Sequence, residues 1–189
     1  MKGAARSIFI GQLFLYTGLA VCVLLRPAGL AVNAGISYYG IYRQTFLPYA
    51  AGLLGAAYFA MRAMDELLPD EKKLRVALKI YVPLIIGIVI TPYAASKWLD
   101  YLHTAFGSAL FFLQLTLSCW LARRLHYIWW GVMLVVVELA AGIASALYLI
   151  PTHGFLLQAQ VIFQVAFGVL LVLSLPGLAS GERKASAGT

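Results

Sequence analysis

The sequence predicts an all-α protein, a single bundle of six transmembrane helices, on three observations. Only 11% of the 189 residues are charged and 62% are hydrophobic, whereas a soluble domain carries about 25% charged residues. Six stretches approach the roughly 20 apolar residues needed to cross a bilayer. Runs such as "WWGVMLVVVELAAGIASALYLI" do not alternate apolar and polar residues as the strands of a membrane barrel would. A helix satisfies its own backbone groups in lipid, so helices are expected. With a mean hydropathy of +0.88, the spans leave no room for a separate soluble domain.

Taken in order, the first span runs from Ile8 to Leu25, behind Lys2 and Arg6. The second covers Phe46 to Met64. The third, Ala77 to Thr91, is the shortest, contains Pro83 and follows "DELLPDEKKLR", which reads as a solvated loop. The fourth covers Leu99 to Ala122, before "RRLHY", where His126 reads as an interface residue. The fifth covers Ile128 to Ile150 and the sixth Phe155 to Leu175. The bundle fills residues 1–176, and the polar tail 177–189 is expected to be disordered.

Lys2, Arg6, Lys72, Lys73, Arg75, Arg123, Arg124, Arg183 and Lys184 fall on one side of these spans, and Arg26, Arg43 and Lys97 on the other. Basic loops stay cytoplasmic, so both termini are placed there, in a plasma (bacterial inner) membrane. The same clustering explains the net charge of +7 without nucleic acid as a partner. A Val32-x-Ala34 site follows the first span, but that span of about 18 residues exceeds the usual signal-peptide core, so no cleavage is expected. Cys22 and Cys119 fall at depths roughly 15 Å apart, too far for a disulfide, and read as packed thiols.

The longest outward loop, residues 26–45, contains Tyr38, Tyr39 and Tyr42 between glycines. It either lies on the headgroups, as tyrosines do, or folds over the mouth of the bundle with Asn33 and Ser37 turned inward. Its "ISYYG", followed by an apolar second span, resembles the I-S-x-x-G signature of a six-span superfamily. Its members include DRAM-type autophagy modulators, Golgi factors of GPI-anchor lipid remodelling and a related bacterial family of unknown function. His103-Thr-Ala-Phe-Gly107 is similar to the start of that superfamily's fourth span. The resemblance carries Ile36, Ser37, Gly40 and His103, and implies a fold and a topology without fixing an activity.

The fourth span holds Asp100, His103, Gly107, Leu110, Gln114 and Ser118 within an arc of about 80°. One stripe is therefore small and polar and can turn inward, as interfaces between membrane helices favour. The fifth span repeats this with Gly131, Glu138, Gly142 and Ser145. Glu138 lies near the midplane, where a charge costs at least about 2.5 to 3.5 kcal/mol, so a neutral acid is expected unless a cation reaches it. Gln114 and Gln164 lie at similar depth, and Gln160 shares a face with Gln164. A hydrogen-bonded layer of Gln114, Glu138 and Gln164 is expected, acting as a clasp between helices or as a proton or ligand site.

Asp100 and His103 stand one turn apart, and His153 lies in a loop on the same side of the membrane. Together they could hold zinc, which needs such ligands and an open position for water, although D-x-x-H is a common pattern. Asp100 could instead fix the His103 ring, or His103 could bond to the outer loop. No G-x-S-x-G elbow, phosphate-binding glycine loop, C-x-x-C pair or H-E-x-x-H helix is present. The reading is a non-catalytic membrane protein that binds or helps handle a lipid or small apolar ligand, or supports a membrane-protein partner. Its expected contacts are Asn33, Ser37, Tyr38, Asp100, His103, Gln114, Glu138, Gln160 and Gln164. The alternatives are a lipid-modifying enzyme using Asp100, His103 and Glu138, and a proton-coupled transporter using Glu138.

Overall fold

The computed structural model describes residues 2–30, 35–67, 71–125, 128–146 and 155–186. Within these the chain is all-α, with six long helices: α1 (Lys2–Leu25), α2 (Arg43–Asp65), α3 (Lys72–Ile90), α4 (Lys97–Ala122), α5 (Ile128–Ala146) and α6 (Leu156–Ser186). Two short 3₁₀ segments, Pro27–Leu30 and Ile36–Ile41, lie between α1 and α2. Among the described residues, four helices are long and apolar enough to cross a membrane: α1, α4, α5 and α6. The other two are less apolar for visible reasons. α2 is rich in Ala, Gly and Tyr, and α3 begins with Lys72, Lys73 and Arg75 and carries Lys79 one turn further on.

Each helix packs against the next, and α6 returns to α1 while also reaching α4, so the bundle closes on itself. Neighbouring helices run antiparallel. Along α1 and α2, Ser7 donates to Glu66 at 3.0 Å near one end and Cys22 donates to the Thr45 carbonyl at 3.4 Å near the other. Between these points the two backbones meet at Gly18, where a Cβ would come within 2.5 Å of the Pro48 carbonyl oxygen and 2.9 Å of Gly52 Cα.

Buried side chains form two groups. A large one, including Leu74, Leu78, Ile85, Leu121, Phe167 and Leu170, fills the end near the N-terminus and continues toward the middle. A smaller one, with Cys22, Tyr38, Tyr39 and Tyr49, sits under the 26–45 loop. The outside is a belt of apolar side chains that no soluble protein presents to water, with Leu24 81% exposed and Leu47 74%. Trp98 lies at one end of the bundle and Trp129 and Trp130 at the other, all exposed, as aromatic residues are at the two surfaces of a bilayer.

Some sequence expectations need correction. α3 starts at Lys72, not Ala77, because lysine and arginine are good helix formers and a helix need not end where apolarity ends. α6 runs through Ser186, across "GERKAS", a stretch that the sequence reading took as a disordered tail. Part of "DELLPDEKKLR" is not solvated. Glu71 is buried and accepts from Arg124 at 3.0 Å, and that guanidinium lies over the Trp120 ring at 4.3 Å, fastening the start of α3 to the end of α4. Cys22 is packed, but Cys119 is exposed on the outer surface, and both thiols are free. His126, the Val32-x-Ala34 site, and the fifth span beyond Ala146 lie outside the described residues.

Candidate functional site

Residues 35–42 fold onto the bundle. Tyr39 is fully buried, and its carbonyl accepts from the Thr45 hydroxyl at 2.7 Å. Arg26 donates to the Tyr38 hydroxyl at 2.9 Å and its guanidinium stacks over the Tyr42 ring at 3.4 Å. The Arg26 contact holds the Tyr38 phenol below its ordinary pKa. Tyr38 is thus engaged by Arg26, and it does not line the cavity described next.

Beneath the loop lies a cavity of about 160 Å³. A void of similar size in another protein stays dry and admits benzene, so this one has room for a small apolar group or the end of an acyl chain. All six helices and the Ile36–Ile41 segment contribute to its wall. Leu53, Ile88, Leu110, Phe111 and Phe163 make it mainly apolar. Ser37, Tyr49, His103, Gln114, Gln160 and Gln164 supply polar groups. Few polar atoms in an apolar concavity is the usual composition of a small-molecule site. Gly107 also faces this space, and a Cβ added there would meet no atom within 4 Å.

His103 joins three elements at the cavity's loop end. Its Nδ1 is 2.7 Å from the Thr91 carbonyl oxygen at the end of α3, and its Nε2 is 2.7 Å from Ser37 Oγ. A carbonyl only accepts, so Nδ1 bears the proton and Nε2 accepts from the Ser37 hydroxyl. Gln160, at the start of α6, accepts from the Ile36 N–H at 2.7 Å through its side-chain oxygen. The Ile36–Ser37 corner is thus held by α4 on one side and α6 on the other.

Deeper in the bundle, Gln114 and Gln164 bond reciprocally at 2.9 and 3.0 Å. Glu138 does not join them. It is fully buried, accepts from Ser118 at 2.8 Å, and its second oxygen has no hydrogen-bond partner. The expected layer of Gln114, Glu138 and Gln164 is therefore two separate pairs, with Ser118 one helical turn beyond Gln114. A side chain four residues on reaches a different level of the facing helices, and the hydroxyl at that level took the acid. Glu138 is not part of the cavity wall.

The Gln114–Gln164 pair gives a direct test. Gln114→Leu leaves the Gln164 amide unpartnered and is expected to cost about 1 kcal/mol, the usual scale for interhelical hydrogen bonds in membranes. The double variant with Gln164→Leu is expected to recover most of that loss. Thermal unfolding of the singles and the double in mild detergent checks it, and a double variant that loses as much as the singles together, or more, would refute the pairing.

Asp100 is exposed and absent from the cavity wall, so it neither orients His103 nor contacts a ligand there. Nδ1 carries the proton toward Thr91 and the Nε2 lone pair faces Ser37, so neither nitrogen is turned to a metal shared with Asp100. No cluster of three His, Cys, Asp or Glu suited to a metal occurs among the described residues. Asn33 and His153, the other expected contacts, lie outside those residues. The structure brings together Ser37, His103, Gln114, Gln160 and Gln164. Tyr49 and Thr91 were not anticipated. Tyr49 had a signal, a tyrosine inside an apolar span, but Thr91 acts through its backbone carbonyl and offered none.

Compared with protein-family models, curated proteins and solved structures, the chain matches none.

Proposed function

We propose that this is a six-span protein of the plasma (bacterial inner) membrane, with both termini cytoplasmic, that binds a small apolar or amphipathic molecule in the cavity beneath its outer loop. The acyl end of a lipid is the ligand class that suits it. We further propose kinship with the superfamily of DRAM-type modulators and GPI-remodelling factors, on the strength of "ISYYG" and His103-Thr-Ala-Phe-Gly107. α2 and α3 then cross the membrane too, α2 with small and polar residues such as Thr45, Gly52, Ala56 and Ala60 turned inward and Leu47 and Tyr58 turned outward. The basic side chains near α3's start and α4's end support the cytoplasmic assignment of that face.

The observation that carries the binding reading is the cavity itself: about 160 Å³, reached by every helix, apolar except for a few amide, hydroxyl and imidazole groups at defined positions. A transporter driven by Glu138 is less well supported, since Glu138 is sequestered with Ser118 away from this space.

Gly107→Phe tests the reading, because Gly107 lines the cavity and a Cβ there meets nothing within 4 Å, so a bulky side chain can take up cavity space. Wild-type protein in mild detergent is expected to co-purify with a small lipid, seen by mass spectrometry, or to gain thermal stability on adding medium-chain fatty acids or monoacylglycerols. Gly107→Phe is expected to weaken that binding at least about tenfold, or roughly 1.4 kcal/mol, while unfolding at an unchanged temperature. Wild-type protein that neither carries nor responds to any such amphiphile would rule the reading out.

A further inference from the structure

We propose that Ser37 and His103 form a nucleophile–base pair that transfers the acyl group of an ester held in the cavity. This rests on the cavity being a binding site for amphipathic molecules and adds a reaction to it. Three features of the geometry support it. Ser37 Oγ and His103 Nε2 are 2.7 Å apart, within the reach expected of a nucleophile and its base. The Thr91 carbonyl, 2.7 Å from Nδ1, sets the tautomer in which the Nε2 lone pair is aimed at the hydroxyl. The pair also opens onto a space whose remaining wall is mostly hydrocarbon, where an acyl chain would lie.

In hydrolases with a Ser–His pair the third group is commonly a carboxylate, which also stabilises the imidazolium that forms. Here a neutral carbonyl takes that place, which orients the ring without burying a charge in a low-dielectric setting. The orienting function is kept and the charge compensation is reduced, so slow turnover is expected. In this proposal the oxyanion falls to two polar groups of the cavity wall. The Gln160 side chain has its oxygen occupied by Ile36 N–H, leaving its NH₂ to donate. The Tyr49 side chain lines the same cavity as Ser37 and carries a hydroxyl that can donate.

The chemistry balances without any added oxidant or metal. Ser37 Oγ attacks the ester carbonyl carbon as its proton passes to His103 Nε2. The tetrahedral adduct collapses, the bond from carbon to the alkoxy oxygen breaks, and His103 returns the proton to the departing alcohol. Water or a second alcohol then attacks the acyl–serine ester, giving its proton to Nε2. Cleavage of the acyl–Oγ bond returns that proton to Ser37 and releases the acid or the new ester.

A fluorophosphonate probe applied to the full chain in mild detergent, with peptide mapping by mass spectrometry, tests this. Labelling is expected at Ser37 in the wild type, absent in Ser37→Ala, and about 100-fold slower in His103→Gln, the scale on which a general base contributes. Should Ser37→Ala fail to fold, Ser37→Cys supplies a second readout. Its thiol, beside an imidazole, is expected to react with iodoacetamide at least about tenfold faster than exposed Cys119. Wild-type protein that binds medium-chain amphiphiles yet shows no label at Ser37 would overturn the dyad and leave the binding site standing. Protein that neither binds nor labels overturns both. A Ser37→Cys thiol no faster than Cys119 would reduce the contact to a simple clasp.

Discussion

Leucine at position 18 is expected to pry α1 from α2 and to lower the unfolding temperature in detergent by roughly 6–12 °C. A Cβ alone would approach the Pro48 carbonyl oxygen to 2.5 Å and Gly52 Cα to 2.9 Å. Both are backbone atoms, so no rotamer change relieves the overlap. Overpacking in a close-packed interior costs about 1–3 kcal/mol, and backbone against backbone belongs at the upper end. For a chain of this size each kcal/mol moves the transition by about 2–4 °C. The neighbouring helix can yield only by sliding away, and that would also disturb the Cys22–Thr45 contact further along the same pair. Gly107→Ala is the matched control, since its methyl meets nothing within 4 Å and is expected to leave the transition where it was. If Gly18→Leu melts with wild type, the two helices are not in backbone contact.

His103→Ala is expected to free the outer loop. The substitution removes the acceptor of the Ser37 hydroxyl and the donor to the Thr91 carbonyl together. Each polar group left unpaired away from water costs about 1–3 kcal/mol. The cavity next to Ser37 can take up water and soften this, so a net loss of about 2 kcal/mol is expected. Amide hydrogen exchange across Ile36–Ile41 reads it locally, as protection lowered roughly 30-fold. Asp100→Ala, an exposed change one turn earlier on the same helix, is expected to do nothing. Unchanged exchange in His103→Ala would mean that His103 does not hold the loop.

Both predictions concern features that the sequence exposed to different degrees. The apolar runs located the helices because hydrocarbon tolerates little else, and the arc on α4 identified the inward face. Leu110, Gln114 and Ser118 are buried there while Phe112 is 63% exposed. What pairs with what was less legible. Glu138 was correctly placed inside, but its partner depended on the axial offset between α4 and α5, which no single-chain pattern encodes. Tyr38 was assigned to a ligand because Arg26 and Tyr42, its actual neighbours, come together only when the loop curls back. Gly18 looked like any small residue in an apolar run, since nothing in α1 by itself says that Pro48 and Gly52 will arrive opposite it. Hydropathy also draws helix ends too tightly, as α3 and α6 show, because it measures lipid compatibility and not helical propensity.

The double fastening of the loop bears on kinetics as much as on shape. Ser37 is tied to α4 and Ile36 to α6, so if the cavity holds a guest as proposed, its departure past this corner requires both latches to open in one fluctuation. Their costs then add, and the residence time lengthens multiplicatively instead of by increments. Weakening either latch alone should therefore accelerate escape far more than it alters how much guest the protein holds at equilibrium.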